Sequence, residues 1–236
     1  DTFTYKANDG QVDSNTATVS VTVTPPPGNY AIQFDGSNDY VTFGASSGLG
    51  VTTFTIETWF KRTGAGVGMA TSGGSGGLAS AVPLMAKGAS EGDDVCTANI
   101  SWFLGIDTAT NALAADFETG TGGANHALIA GTAVSSNVWH HAAVTLDGSN
   151  LRILLDGVLD CTLATTALPC AAALGHAALG TALDTTGDPG GNATPGWFAG
   201  VLDEARVWNV ARSQGDIQST KDVEITSPTS GLLARW

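Results

Sequence analysis

The stretch Val138–Asp160, VWHHAAVTLDGSNLRILLDGVLD, decides the fold. Two apolar or alternating runs, Val138–Leu146 and Leu151–Leu155, are separated by Asp147-Gly148-Ser149-Asn150. Asp156-Gly157 closes the second run. Asp-Gly pairs favour tight turns with positive φ, so a turn stands at each end of Leu151–Leu155 and fixes its register. The local reading is an antiparallel meander.

The same grammar extends in both directions. Apolar or alternating runs occur at Tyr30–Phe34, Tyr40–Phe43, Phe54–Arg62, Pro83–Lys87, Ile100–Ile106 and Ala112–Glu118. They continue at His126–Ala130, His176–Thr181 and Trp197–Trp208. Turn signals at Asp35-Gly36-Ser37-Asn38 and Asp188-Pro189-Gly190-Gly191 lie between them. About a dozen short strands over this length predict an all-β, two-sheet antiparallel sandwich of jelly-roll type. One short helix is expected within Ala211–Thr220, opening at Ser213. The Gly/Ser-rich segment Gly64–Ser80 is expected to loop out at the surface. It contains Gly73-Gly74-Ser75-Gly76-Gly77, a formal match to G-x-S-x-G without the strand and helix that motif needs.

Of 236 residues, 42% are apolar and only 13% charged, yet the net charge is −13 because 22 acidic residues face 9 basic ones. The apolar content separates the chain from an acidic disordered tail. No run of about 18 apolar residues is present to span a membrane, and no basic stretch supports nucleic-acid binding. A base-poor surface suits neutral partners such as glycans and divalent cations. Frequent Thr, Ser, Gly and Asn fit a secreted β protein. Cys96, Cys161 and Cys170 leave an odd thiol. The spacing leaves open a local Cys161–Cys170 bridge, a bridge using Cys96, or none.

Residues 1–24 alternate on both sides of Asn8-Asp9-Gly10 and predict a β-hairpin appendage. They resemble the closing strands of a cadherin-like or immunoglobulin-like repeat. Pro25–Gly28 reads as a stiff linker. Residues 29–225 carry YAIQFDGSNDYVTF, FTIETWFKR, PLMAKG, the Val138 block and WFAGVLDEARVWNVARSQGDI, in that order. These resemble the concanavalin A-like, laminin-G-like jelly-roll domain of secreted bacterial multidomain proteins. Residues 226–236 end in GLLARW, which resembles the opening strand of a following domain of that kind. The chain therefore reads as a piece of a longer tandem array.

The resemblance implies a structural calcium held between an N-terminal turn and a late strand. It points to Asp35, Gly36, Asn38 and Asp203 as ligands, in keeping with the oxygen donors calcium prefers. Without a metal, Asp35 caps its turn and Asp203 or Glu204 pairs with Arg206 or Arg212. Asp184, Asp188 and Asn192 form an acidic rim-loop cluster, and Glu91, Asp93, Asp94 and Asp107 form another. Trp197 beside Gly196 is the first candidate for a sugar-stacking platform, with Trp102 the second. Trp59, Trp139 and Trp208 read as core fillers between the sheets. His140 and His141 are adjacent on a strand and so face opposite ways. Asp116 and Glu118 are the nearest i, i+2 acidic pair, but no glycanase run surrounds them. The expected function is a non-catalytic, calcium-stabilised carbohydrate-binding or adhesion module at a cell surface. A structural array module joined to neighbouring copies by terminal strands ranks second, and a glycanase third.

Overall fold

The computed structural model describes residues 2–6, 10–20, 30–71, 76–89, 96–120, 122–191 and 194–236. The chain divides into two compact units, Asp1–Tyr30 and Ala31–Trp236. In the first, β1 (Thr2–Tyr5) pairs antiparallel with β2 (Ala17–Ser20), placing Tyr5 opposite Ala17. This is the ladder that a hairpin there would use, while Asn8 and Asp9 of the expected turn and the linker at Pro25–Gly28 lie outside the described residues.

The second unit is a two-sheet sandwich with every ladder antiparallel. One sheet runs β12 (Val158–Ala164), β11 (Asn150–Leu155), β10 (Trp139–Leu146), β5 (Phe54–Arg62) and β14 (Ala199–Trp208). Two short strands share the outer edge of β14. These are β3 (Ile32–Asp35), opposite Ala199–Leu202, and β15 (Leu232–Arg235), opposite Arg206–Trp208. The other sheet runs β4 (Val41–Thr42), β13 (Ala177–Leu179), β6 (Ala81–Lys87), β7 (Trp102–Asp107), β8 (Ala112–Asp116) and β9 (Leu128–Ala133). Pro83 sits where the β6–β7 register shifts, the kind of site a strand proline requires.

Period-2 alternation supplies the core. Phe54, Ile56 and Phe60 of β5 meet Val144 and Leu146 of β10, and Val82, Leu84, Trp102, Leu104 and Ile106 of the facing sheet. Each outer face carries its own cover. Over β6–β8 lie Met69 and Leu78, packed with Ala81, Ala86, Phe103 and Ala114. Met69 and Leu78 are both buried, and Met69 exchanges backbone hydrogen bonds with Ala81. The described ends of Gly64–Ser80 thus pack on the sheet, where small residues leave room for them, while residues 72–75, with most of the G-x-S-x-G match, lie outside the described residues.

Over β5, β10 and β14 lies α1 (Gln214–Thr220), with Ser213 as N-cap and Asp216 closing a capping box. Ile217 is buried against Ala143 and Leu154. Glu57 is fully buried beneath it. It accepts from Trp208 Nε1 at 2.9 Å and from Arg212 Nη1 at 3.0 Å. Arg206 binds Glu204 and the carbonyls of Thr220 and Val223, so this cluster holds the covering segment down. Trp59 Nε1 donates to the Lys221 carbonyl.

Two expectations change here, and the cysteine pairing left open by the sequence is resolved. Trp59 and Trp208 sit on the outer face of the sheet, under the C-terminal cover, and Trp139 is exposed at a strand end. None of them fills the space between the sheets. The GLLARW strand belongs to this sandwich, since Trp236 and Ala205 exchange two backbone hydrogen bonds beside β15. The domain therefore extends past residue 225, and residues 232–235 pair with β14 of their own chain. The disulfide joins Cys96 to Cys170, 74 residues apart, and Cys161 is the free thiol. Cys161 lies on β12, paired with Ile153, which draws it into the sheet and away from Cys170.

Candidate functional site

Three segments meet at one rim of the sandwich: the turn after β3, the segment after β5 and the approach to β14. Asp35 accepts from Ser37 N, and Asp39 accepts from Asp35 N, so two carboxylates hold the first turn. Gly36 has φ +86°, and a Cβ there would lie 2.7 Å from the Ala199 Cβ, so glycine lets the turn close on β14. Val67 and Trp197 exchange backbone hydrogen bonds at 2.8 and 2.9 Å. At Gly66, φ is +66° and a Cβ would lie 2.5 Å from the Trp197 carbonyl oxygen. The backbone on both sides of Trp197 is therefore fixed.

This framing places the Trp197 ring beside that of Tyr40, with centroids 6.1 Å apart and planes at 37°. Tyr40 is 41% exposed and Val67 38% exposed, while Trp197 is half-buried. The result is a solvent-facing aromatic surface on paired backbone. Such rings offer broad apolar faces at little cost in conformational entropy. Tyr40 escapes a sequence reading because it looks like the first residue of a strand. Its nearness to Trp197 depends on the pairing of β4 with β13.

The other candidate ligand residues separate from this surface. Trp102 is 1% exposed, with its Nε1 donating to the Leu49 carbonyl, so it is a core residue and not a platform. Asp184 closes a turn of its own by accepting from Thr186 N, the Thr186 hydroxyl and Asp188 N. Burial pushes its carboxyl up, but hydrogen bonds from Asp188, Thr186 and Gly187 outweigh this and hold it below the ordinary value. Asp188 is exposed in the same turn. Asn192, Glu91, Asp93 and Asp94 lie outside the described residues.

The calcium assignment does not fit. Asp35 stands opposite Ala199, four residues along β14 from Asp203, or about 13 Å at strand spacing. Asp203 is opposite Trp59 and accepts from Glu204 N, while Asn38 is exposed in the Gly36 turn. These residues do not converge on one ion. Glu204 pairs with Arg206 at 2.8 Å. Among the described residues, no group of three or more His, Cys, Asp or Glu side chains is arranged to hold a metal.

Asp116 and Glu118 are both buried, 1% and 2% exposed. Asp116 accepts from the Thr71 hydroxyl, Asn125 Nδ2, Phe117 N and His126 N. Burial pushes its pKa up to about 7 against those hydrogen bonds. Glu118 accepts from Ile100 N. His140 and His141 face opposite ways, beside Phe60 and Trp59, and one carboxylate, Asp156, bonds His140 Nδ1 and His141 N. Burial holds the His141 pKa down to about 3.

Residues 35–218 match the laminin-G-like family model of the concanavalin A-like lectin/glucanases superfamily. The chain belongs to that family. No curated protein matches it. Among solved structures, it is similar to a Bacteroides ovatus protein provisionally described as carbohydrate binding (TM-score 0.57, 18% identity). The alignment covers 94% of this chain, which spans 58% of that protein's length. The CBM40 of the Ruminococcus gnavus IT-sialidase, bound to α2,3-sialyllactose, aligns at TM-score 0.58 and 14% identity. It covers 80% of this chain and 95% of the other. A heptameric SAP-like pentraxin from Limulus polyphemus aligns at TM-score 0.53 and 12% identity, over 86% and 87% of the two chains. At these identities the likeness is one of fold.

Proposed function

We propose that this chain is a non-catalytic carbohydrate-binding module whose contact surface is the Tyr40–Trp197 rim. The carrying observation is that aromatic pair, Tyr40 exposed and Trp197 half-buried, held by the Val67–Trp197 backbone bonds. Similarly folded proteins described as carbohydrate binding support this reading by analogy. The buried placement of Asp116 and Glu118 supports the absence of catalysis, because a glycanase carboxylate must reach its substrate. The Cys96–Cys170 disulfide favours an oxidising, extracellular setting, in keeping with an adhesive role at a cell surface.

The test is a glycan array probed with the wild-type chain and with Trp197→Ala. Retention of a glycan by the wild type, weakened about tenfold or more in the variant, is the expected result. That loss corresponds to about 1.4 kcal/mol. An array with no retained glycan, or binding unchanged in Trp197→Ala, overturns the reading. Turnover of a β-glucan that disappears in Glu118→Gln overturns its non-catalytic part.

A further inference from the structure

The chain has nine basic residues, and the structure accounts for the charged head of each. Lys6 faces Asp13 at 3.9 Å within the N-terminal unit. Lys87 is fully buried and donates to the carbonyls of Ala45 and Gly175. Arg206 and Arg212 are held in the Glu57–Glu204 cluster. Arg152 bonds Asp147 at 2.6 Å, and Lys221 bonds Asp222 at 2.7 Å. Arg235 lies between Glu204 and Glu224. Lys61 sits over the Trp139 ring, 5.5 Å from its centroid.

That leaves Arg62, which ends the strand leading to the aromatic rim. Its Nε donates to the Gly64 carbonyl at 3.0 Å and its Nη1 to Asn111 Oδ1 at 2.7 Å. Its guanidinium thus braces the segment after β5, which is part of the rim, and keeps its positive charge because its acceptors are neutral. The rim's other charged groups are Asp35 and Asp39, each with a carboxylate oxygen tied to turn backbone. Both are exposed. A carboxylate accepts hydrogen bonds from sugar hydroxyls but repels another carboxylate, and recognition of an anionic sugar calls for a guanidinium or ammonium.

We infer that the Tyr40–Trp197 surface takes neutral glycans and discriminates against uronate- or sialate-bearing ones. This rests on the carbohydrate-binding reading above and deepens it. It also sets this surface apart from the sialyllactose-bound module that shares the fold. Two features combine: aromatic faces that accept the apolar side of a sugar ring, and a rim where two exposed carboxylates outnumber one guanidinium already engaged with protein acceptors.

The experiment uses the whole chain and an array in which each neutral oligosaccharide stands beside its carboxylated counterpart. Uronate oligomers are paired with the matching neutral hexose oligomers, and sialyllactose with lactose. Binding is read at low and at physiological salt for wild type, Trp197→Ala, Tyr40→Ala and Trp139→Ala. The expected result is retention of neutral members, with counterparts at least tenfold weaker. The gap should narrow as salt screens the repulsion. Binding should fall in Trp197→Ala and Tyr40→Ala and persist in Trp139→Ala. Equal or tighter binding of the carboxylated members, lost in Trp197→Ala, overturns the neutral preference while leaving the binding surface in place. Anionic binding lost in Trp139→Ala moves the site to Lys61 and Trp139 and overturns both. An array on which nothing is retained removes the carbohydrate-binding reading itself.

Discussion

The ring of Trp236 stacks on that of Phe43, with centroids 3.8 Å apart and planes 21° from parallel. Phe43 follows β4 in one sheet, and Trp236 follows β15 in the other. The pair thus bridges the two layers at the open side of β14. Trp236→Ala should lower stability by about 1–3 kcal/mol, below the cost of a fully buried aromatic because Trp236 is 36% exposed. A double-mutant cycle with Phe43→Ala should return a coupling of about 1 kcal/mol. Urea denaturation measures both, and additive effects would show that the rings do not support one another.

The Cys96–Cys170 bridge closes a long loop across the connections that flank β7 and β13. Cys170→Ser should cost about 2–4 kcal/mol through the enlarged unfolded ensemble. Unfolding the wild type without reductant should expose one thiol to alkylation, and peptide mapping should place it at Cys161. In the native state that thiol should react slowly, since burial pushes its pKa up to about 11.

Arg212 anchors α1 by joining Glu57 to the Asp216 carbonyl and the Thr220 hydroxyl. Arg212→Ala should cost about 3–5 kcal/mol, because it strips a partner from a buried carboxylate. Hydrogen exchange should accelerate first in residues 213–221. Unchanged protection there would mean that Ile217 packing alone holds the helix.

Asp116 and His141 should give stability opposite slopes with pH. The Asp116 pKa is raised to about 7 by burial, above 3.8 unfolded, so its contribution is present below pH 4 and lost as pH rises to about 7. The His141 pKa is lowered to about 3, so its contribution is present above pH 6.5 and lost as pH falls towards 3. The stability difference between wild type and Asp116→Asn should therefore shrink from pH 4 to 7. The difference for His141→Asn should grow over the same range. Urea midpoints at four pH values decide it, and parallel curves would refute the assignment.

Asp35 and Asp203 are too far apart on β14 to share an ion. Asp35→Asn and Asp203→Asn should thus respond to calcium and to EDTA as the wild type does, by thermal denaturation. A calcium shift abolished by both substitutions would show that the two residues are brought together.

The sandwich was legible where one residue type has one structural use. The Asp147-Gly148 and Asp156-Gly157 turns, the Phe54–Arg62 strand and the Ser213 cap stand where the pattern puts them. β12 was not, because as an edge strand it exposes Val158 and Leu159 and only half-buries Cys161 and Leu163. Trp197 was legible at the rim, but Tyr40 was not, since their meeting is set by strand pairing between distant segments. The same gap explains the calcium assignment. Asp35 and Asp203 read as partners in order, yet register on β14 separates them. Trp102 failed for another reason: alternation says which residues share a face, not which face is covered.

β15 and β3 run in the same direction along one edge of β14, with Trp236 bonded to Ala205 and Ile32 opposite Leu202. Only about 10 Å of strand separates them. The edge is in effect a single strand cut in two, its halves supplied from opposite ends of the domain's sequence. A circular permutant that links Trp236 to Ala31 through a residue or two, and opens instead at the Asp147–Asn150 turn, would run one unbroken strand along that edge.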